Sequence, residues 1–147
     1  MTRSLESLLN LKRWREDEVK SLFALLLKEL AIEEEKLEAL EAHHGLIAQK
    51  LCEGSDEMVD IDDIRRLQQY SEQLVMQIRH QRAAVEAQDR KVEDARALLM
   101  EVSKERKTYE RLDEKMRLAF EHEEQRKEQT NADERASIQH GRHRGAD

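Results

Sequence analysis

The sequence predicts an all-α protein, a long antiparallel two-helix coiled-coil hairpin. Of its 147 residues, 40% are charged and 3% aromatic, with four glycines and no proline. A compact core needs aromatic and aliphatic bulk, and its loops need glycine and proline. The apolar residues instead recur at alternating spacings of three and four, and a short glycine-containing break divides them into two runs. These observations exclude a Rossmann domain, a barrel and a β-sandwich.

The first helix is predicted over residues 4–52, with Ser4 as its N-cap. The apolar seam follows positions 5, 8, 12, 15, 19, 22 and 26, and continues at 30, 33, 37, 40, 44, 47 and 51. Two consecutive steps of four, at 22–26–30, predict a stutter that locally unwinds the supercoil.

A turn is predicted over residues 53–57. Gly54 can adopt the left-handed conformation that ends a helix, and Ser55 or Asp56 can cap the next one. So short a break brings the two helices alongside each other. A fold centred on residue 55 pairs position i with about 110 − i, which places Leu5 opposite residue 105.

The second helix is predicted over residues 58–136. Twelve of its seventeen seam positions between 64 and 120 are apolar and keep one phase, as a left-handed supercoil requires. Tyr109, Met116 and Phe120 extend past the predicted partner helix. This overhang is either a solvated helix supported by i,i+4 ion pairs or an apolar stripe that binds another protein. The hairpin is assigned to residues 1–130, and residues 131–147 lose the periodicity and are predicted to be a disordered tail.

Charge and cysteine content limit the possible partners and compartment. The formal net charge is −7, and six acids without a base lie between residues 53 and 63. The chain therefore has no electrostatic reason to bind nucleic acid or an anionic membrane. The single Cys52 cannot form an internal disulfide, and the longest apolar run, residues 22–27, is far shorter than the roughly 20 residues of a membrane span. We expect a cytoplasmic protein.

No arrangement of residues indicates catalysis or metal binding. There is no nucleophile–base pair and no glycine-rich phosphate loop, and the adjacent His43 and His44 point in different directions on a helix. We expect no enzymatic activity, no cofactor and no metal. The sequence Lys12-Arg13-Trp14-Arg15 is either a solvated face with the indole packed on the second helix or a contact patch for an acidic partner.

Three stretches of the sequence carry a resemblance to a known protein family. The first is SLESLLNLKR at residues 4–13, followed by Glu16 and Glu18. The second is LQQY at residues 67–70, followed by Leu74 and Ile78. The third is ERK at 105–107 and ERL at 110–112, followed by Arg126, Glu128, Gln129 and DERA at 133–136. In their order and spacing these stretches resemble the FliJ family, a small cytoplasmic component of the bacterial flagellar type III export apparatus, and the resemblance covers nearly the whole chain.

The resemblance implies a non-catalytic coiled-coil stalk, similar to the central stalk of rotary ATP synthases. Such a stalk inserts into the hexameric export ATPase and stimulates it, contacts the cytoplasmic domain of the export gate protein, and binds export chaperones. It sits at the cytoplasmic face of the inner membrane and reaches the membrane only through its partners.

The resemblance also implies two sets of partner-binding residues. The set at the ATPase end is Leu8, Lys12, Arg13, Arg15, Tyr109, Met116 and Phe120. The set on the export-gate side is Leu40, His43, Ile47, Tyr70, Leu74 and Gln77. Leu40, Ile47 and Leu74 are also seam positions, for which packing within the hairpin is the competing interpretation.

Three other functions compete with this one. The chain can be a homotypic structural coiled coil, in which the hairpin opens and pairs with other copies, or the equivalent stalk of a virulence type III secretion system. A prefoldin-like holdase needs β-strands beside its helices, and no strand-forming run is present.

Overall fold

Two long helices that pack against each other make up the fold. The computed structural model describes residues 2–54 and 60–145, in which α1 spans Thr2–Gly54 and α2 spans Ile61–Gly145. No strand occurs in these two ranges. The predicted helical hairpin is therefore confirmed. Neither helix, within the same ranges, has a stretch of the length and hydropathy that a membrane span requires.

The ends of α1 differ from the prediction. The helix begins at Thr2, so Ser4 lies inside its first turn and is not the N-cap. Gly54 is the last helical residue, and none of the described glycines has a positive φ, so the predicted left-handed termination is wrong. A glycine in a helix costs only about 1 kcal/mol relative to alanine, so α1 can include Gly54. The predicted caps Ser55 and Asp56 lie outside the described residues.

Asp60 caps the start of α2. Its carbonyl accepts hydrogen bonds from the amides of Asp63 and Ile64 at 3.1 and 3.2 Å, and its Oδ1 lies 3.4 Å from the Asp62 amide nitrogen. The helix therefore begins at Ile61, three residues after the predicted residue 58. Asp62 and Asp63 in the first turn favour the positive end of the helix dipole.

The far end of α2 continues to Gly145, whereas the sequence predicts a helix end near residue 136 and irregular chain from 131. This stretch has no proline, and its alanine, glutamate, glutamine and arginine residues are good helix formers. Three basic or titratable side chains in the last turn, Arg142, His143 and Arg144, complement the negative end of the dipole. The stretch from residue 131 to residue 145 therefore lacks an apolar packing face but is still helical.

The chain divides into two compact units, each built from both helices. Unit 1 comprises Met1–Arg15 and Val102–Asp147, and unit 2 comprises Glu16–Glu101. The buried apolar side chains of unit 1 are Leu5, Leu9 and Val102. Those of unit 2 are Val19, Ile47, Leu74, Ile78, Val92 and Ala95.

The seam predicted for α2 is confirmed through residue 113. Every predicted position from 64 to 113 is buried or half-buried, whereas Met116 and Phe120 are 38% and 60% exposed. The alternation of three and four residues therefore identified the packing face of α2 without a phase error.

The seam predicted for α1 is confirmed from residue 26 to residue 51 and at residues 5, 12 and 19, and it is wrong at residues 8, 15 and 22. Residues 9 and 16 are buried and residue 23 is half-buried in place of 8, 15 and 22, so three-four spacing continues unbroken and there is no stutter. Leu8 and Leu9 adjoin, as do Leu22 and Phe23, so apolarity alone did not distinguish the two phases. The buried side chain of Glu16 also lies in the seam, and its Oε1 lies 3.2 Å from Lys20 Nζ.

The register between the helices is shifted from the predicted one. In unit 2, Gln81 contacts Glu33 and Gln88 contacts Leu26, so the numbers of each pair sum to 114 rather than 110. In unit 1, Lys12 contacts Glu105 and lies over the Tyr109 ring. Tyr109 is therefore paired with α1 and does not belong to an overhang. The fold was centred on residue 55, too early, because α1 continues to Gly54.

Candidate protein-binding surfaces

Unit 1 contains all seven residues predicted for the ATPase end. Lys12 Nζ lies 3.1 Å from Glu105 Oε2 and 5.3 Å from the centre of the Tyr109 ring. Arg13 Nη2 lies 3.4 Å from Glu110 Oε1, and Arg106 binds the other oxygen of that carboxylate at 2.8 Å. Three of the predicted residues, Lys12, Arg13 and Tyr109, are therefore brought together at the contact between α1 and α2.

The other four predicted residues of unit 1 are exposed. Leu8 is 43% exposed, and Arg15 is also on the surface. Met116 and Phe120 follow the last half-buried seam position, Asp113, at the same three-four spacing. From residue 114 to 145 every side chain of α2 is exposed. We call the stripe formed by Met116 and Phe120 the α2 stripe.

Unit 1 exposes further apolar side chains that the predicted set omits. Trp14 is 59% exposed, so the interpretation that packs its indole against the second helix is wrong. Leu11, Leu112 and Leu118 are 56%, 44% and 57% exposed. The signal for Trp14 was present in the sequence, since it lies among three basic residues. The three leucines carried no such signal, because all of them lie off the predicted seam.

A second electrostatic feature lies on the exposed part of α2. Arg126 Nη2 lies 2.9 Å from Glu123 Oε1. The hydrogen bond and charge of Arg126 lower the pKa of the Glu123 carboxyl. The hydrogen bond and charge of Glu123 in turn raise the pKa of the Arg126 guanidinium. Such an i,i+3 pair adds modest local support to a helix that has no packing partner there.

Unit 2 contains all six residues predicted for the export-gate side, and they divide into two groups. Ile47 and Leu74 are 6% and 2% exposed, so their side chains pack between the helices. Leu40 is half-buried. His43, Tyr70 and Gln77 are exposed. The competing interpretation of the seam positions therefore holds for Ile47 and Leu74, which cannot touch a partner while the hairpin is closed.

His43 and Tyr70 come from different helices and form one feature. His43 Nε2 lies 2.8 Å from the Tyr70 hydroxyl oxygen, and the two rings meet edge to face with centres 5.5 Å apart. An open groove of about 390 Å³ is lined by Leu40, Met76, Gln77, His80 and Gln81. Met76, 64% exposed, and His80 were not among the predicted residues. We call His43, Tyr70 and Gln77 the composite surface, because both helices contribute to it.

These surfaces are suited to binding proteins. They present apolar and aromatic side chains beside paired charges, and unit 2 has an open groove. Within residues 2–54 and 60–145, no three histidine, cysteine, aspartate or glutamate side chains are grouped so as to hold a metal ion.

Comparison with known proteins gives one result. The family model described as flagellar FliJ protein matches residues 1–145. No curated protein and no solved structure matches the chain. FliJ proteins are components of the flagellar export machinery and are not known enzymes. Because the match covers nearly the entire sequence, the chain belongs to the FliJ family and is a component of flagellar protein export.

Proposed function

We propose that the chain is a non-catalytic stalk that inserts into the hexameric export ATPase and stimulates it. The α2 stripe is the observation that carries this proposal. Met116 and Phe120 continue the seam beyond the last half-buried position, in a stretch of 32 helical residues, 114–145, in which every side chain is exposed. A helix that keeps its apolar spacing without an internal partner is suited to bind in a groove of another protein.

The basic and aromatic residues of unit 1 extend this surface. Lys12 and Arg13 are held by Glu105 and Glu110, so their side chains are oriented before any partner binds. Orientation in advance reduces the entropy lost on binding. Leu8, Arg15 and the exposed Trp14 add apolar and cationic contacts within the same unit.

The composite surface of unit 2 is proposed to contact the cytoplasmic domain of the export gate protein. The gate-side residues are then those with accessible side chains, His43, Tyr70, Gln77 and the half-buried Leu40. Export chaperones are further proposed partners, for which no residues are assigned. Through these partners the chain is held at the cytoplasmic face of the inner membrane.

The test is an assay of ATP hydrolysis by the purified export ATPase with and without the chain. We expect the chain to raise both the hydrolysis rate and the hexamer fraction measured by sedimentation. Met116→Glu combined with Phe120→Glu should abolish both effects, since a carboxylate would have to be buried in the interface. Leu118→Glu is the matched control, because residue 118 is exposed but lies off the α2 stripe.

No rise in either quantity with the wild-type chain would refute the stalk proposal. Sedimentation of the chain alone tests the homotypic coiled coil. A monomer is expected, whereas a stable dimer in which the hairpin has opened would favour the homotypic function.

A further inference from the structure

Three polar residues of α2 interrupt the apolar seam of unit 2, and each contacts a polar group on α1. Gln81 Nε2 donates to the Glu33 carbonyl at 2.9 Å and to Glu33 Oε2 at 2.5 Å. Gln88 Nε2 donates to the Leu26 carbonyl at 3.3 Å and to Glu29 Oε2 at 3.1 Å. The hydroxyl of the third residue, Ser71, lies 3.4 Å from His44 Nε2.

The two glutamines repeat one arrangement. Gln81 and Gln88 are seven residues apart, and so are the residues that supply their backbone acceptors, Glu33 and Leu26. Each amide also reaches one carboxylate of α1. A clamp of one carbonyl and one carboxylate therefore occurs in two consecutive heptads of the hairpin, with both acceptors on Glu33 in one and divided between Leu26 and Glu29 in the other.

Polar residues in a coiled-coil seam set register at a cost in stability. An apolar side chain at position 81 or 88 would pack in the seam without needing a partner, whereas a buried amide without a hydrogen bond is costly. The glutamines therefore serve chiefly to disfavour other alignments of the two helices. Their amides find both acceptors only where α1 supplies them at the matching position along the helix axis.

A shift of the helices by one heptad breaks the match in either direction. One glutamine then occupies the site of the other, while the second lies opposite Val19 or Leu40 and loses its carboxylate. Ser71 moves away from His44 in both shifts and faces a leucine. The repeat of the clamp alone would allow half of its bonds to re-form, and the Ser71–His44 contact distinguishes the native alignment from both alternatives.

We propose that Gln81, Gln88 and Ser71 are positioning residues that fix the axial register of unit 2. The register brings His43 of α1 beside Tyr70 of α2, and a shift by one heptad would separate them by about 10 Å at 1.5 Å per residue. The polar seam residues thereby assemble the composite surface without belonging to it. Only this link to partner binding rests on the proposed function, since the register claim stands without it.

The register can be measured with spin labels at Glu35 and Arg65, both exposed, in a Cys52→Ser background. The native pairing places residue 35 opposite residue 79, so the labels are about 21 Å apart along the axis, and a one-heptad shift changes this by about 10 Å. The wild-type seam residues should give a single distance between the two spin labels. Gln81→Leu combined with Gln88→Leu should add a shifted population exceeding about a tenth of the molecules.

The matched control is Gln68→Leu combined with Gln73→Leu, which makes the same change at two exposed positions of α2 and should keep the single distance. A single unshifted distance in the seam variant would overturn the proposal. So would equal heterogeneity in the control, because the effect would then come from added leucine and not from the lost clamp.

A second variant, Gln81→Glu, tests the donor directly. At neutral pH its carboxylate cannot donate and faces Glu33, which also pairs with Lys36 at 3.5 Å. The shifted population should appear at neutral pH and disappear when the new carboxyl is protonated, below about pH 4.5, while the wild type keeps one distance throughout. A shifted population that is independent of pH would contradict a role for the donated hydrogen bond.

Binding of the export gate domain tests separately whether the polar seam residues fix the register and whether that register assembles the composite surface. If the shifted variant binds several-fold more weakly than the wild type, the register assembles the composite surface. If the register shifts while binding is unchanged, the link to that surface is refuted. If the wild type itself does not bind, the gate contact of the proposed function fails and the register measurement is unaffected.

Discussion

Substitution of Leu74 should act through stability rather than through partner binding. Its side chain is 2% exposed in the seam of unit 2. Leucine-to-alanine substitutions in protein cores cost about 2–5 kcal/mol, depending on how far the site can collapse. A two-helix seam is open to solvent along both sides, so water and neighbouring side chains can partly fill the space. We expect Leu74→Ala to lower the free energy of unfolding by about 2–3 kcal/mol.

The matched control is Met76→Ala, two residues away on the same helix. Met76 has a side chain of similar size but is 64% exposed. Its loss should change the unfolding free energy by less than about 0.5 kcal/mol, as for ordinary surface substitutions. Alanine is a good helix former, so neither change carries a backbone penalty.

The assay is urea unfolding followed by far-ultraviolet circular dichroism, with the midpoint and slope fitted for each variant. Gate-domain binding is then measured at a temperature where Leu74→Ala is folded, and there it should match the wild type. Equal stability of Leu74→Ala and Met76→Ala would refute the assignment of Leu74 to the packed seam. Weakened binding by a fully folded Leu74→Ala would refute its exclusion from the binding surface.

Three further predictions concern individual side chains. The hydrogen bond from Gln81 lowers the pKa of Glu33, so Gln81→Leu should raise that pKa toward the ordinary carboxyl value in a nuclear magnetic resonance titration. The stability that this hydrogen bond contributes is present above the ordinary pKa of the carboxyl. It is lost as the pH falls through the lowered pKa. Phe120→Ala should leave the unfolding free energy within about 0.5 kcal/mol yet reduce ATPase stimulation several-fold, since the ring is 60% exposed. Trp14, the only tryptophan, should be quenched by acrylamide in the free chain and protected when the ATPase binds; unchanged quenching in the complex would contradict its place in that interface.

The fold class and the packing face of α2 could be predicted because a single apolar period continues through most of that helix. Polar seam residues such as Ser71, Gln81 and Gln88 did not disrupt the pattern, since their neighbours in the seam are apolar. In α1, adjacent apolar pairs allowed two phases, and the choice of Leu8 and Leu22 over Leu9 and Phe23 was wrong. The ring of Phe23, against which Arg96 lies at 5.2 Å, faces α2 instead.

The register was less predictable than the seam, because it depends on contacts between residues far apart in sequence. The predicted register was counted from the turn on the assumption that α1 ends before Gly54. This assumption displaced every predicted pair of residues, including the pair that contains Tyr109. Pairing of polar seam residues would have given the alignment to within one residue, since the numbers of Glu33 and Gln81 sum to 114 and those of His44 and Ser71 to 115. Burial of Ile47 and Leu74, by contrast, followed from their seam positions alone.

The most direct test of the account is a photocrosslink from the α2 stripe to the export ATPase. A photoreactive phenylalanine analogue replaces Phe120 in one sample and Leu118 in the other, and each is irradiated with the assembled ATPase in the presence of nucleotide. We predict a covalent adduct with the ATPase from position 120 and much less from position 118. Equal yields from both positions, or no adduct from position 120 while hydrolysis is still stimulated, would contradict the assignment of this stripe to the ATPase interface.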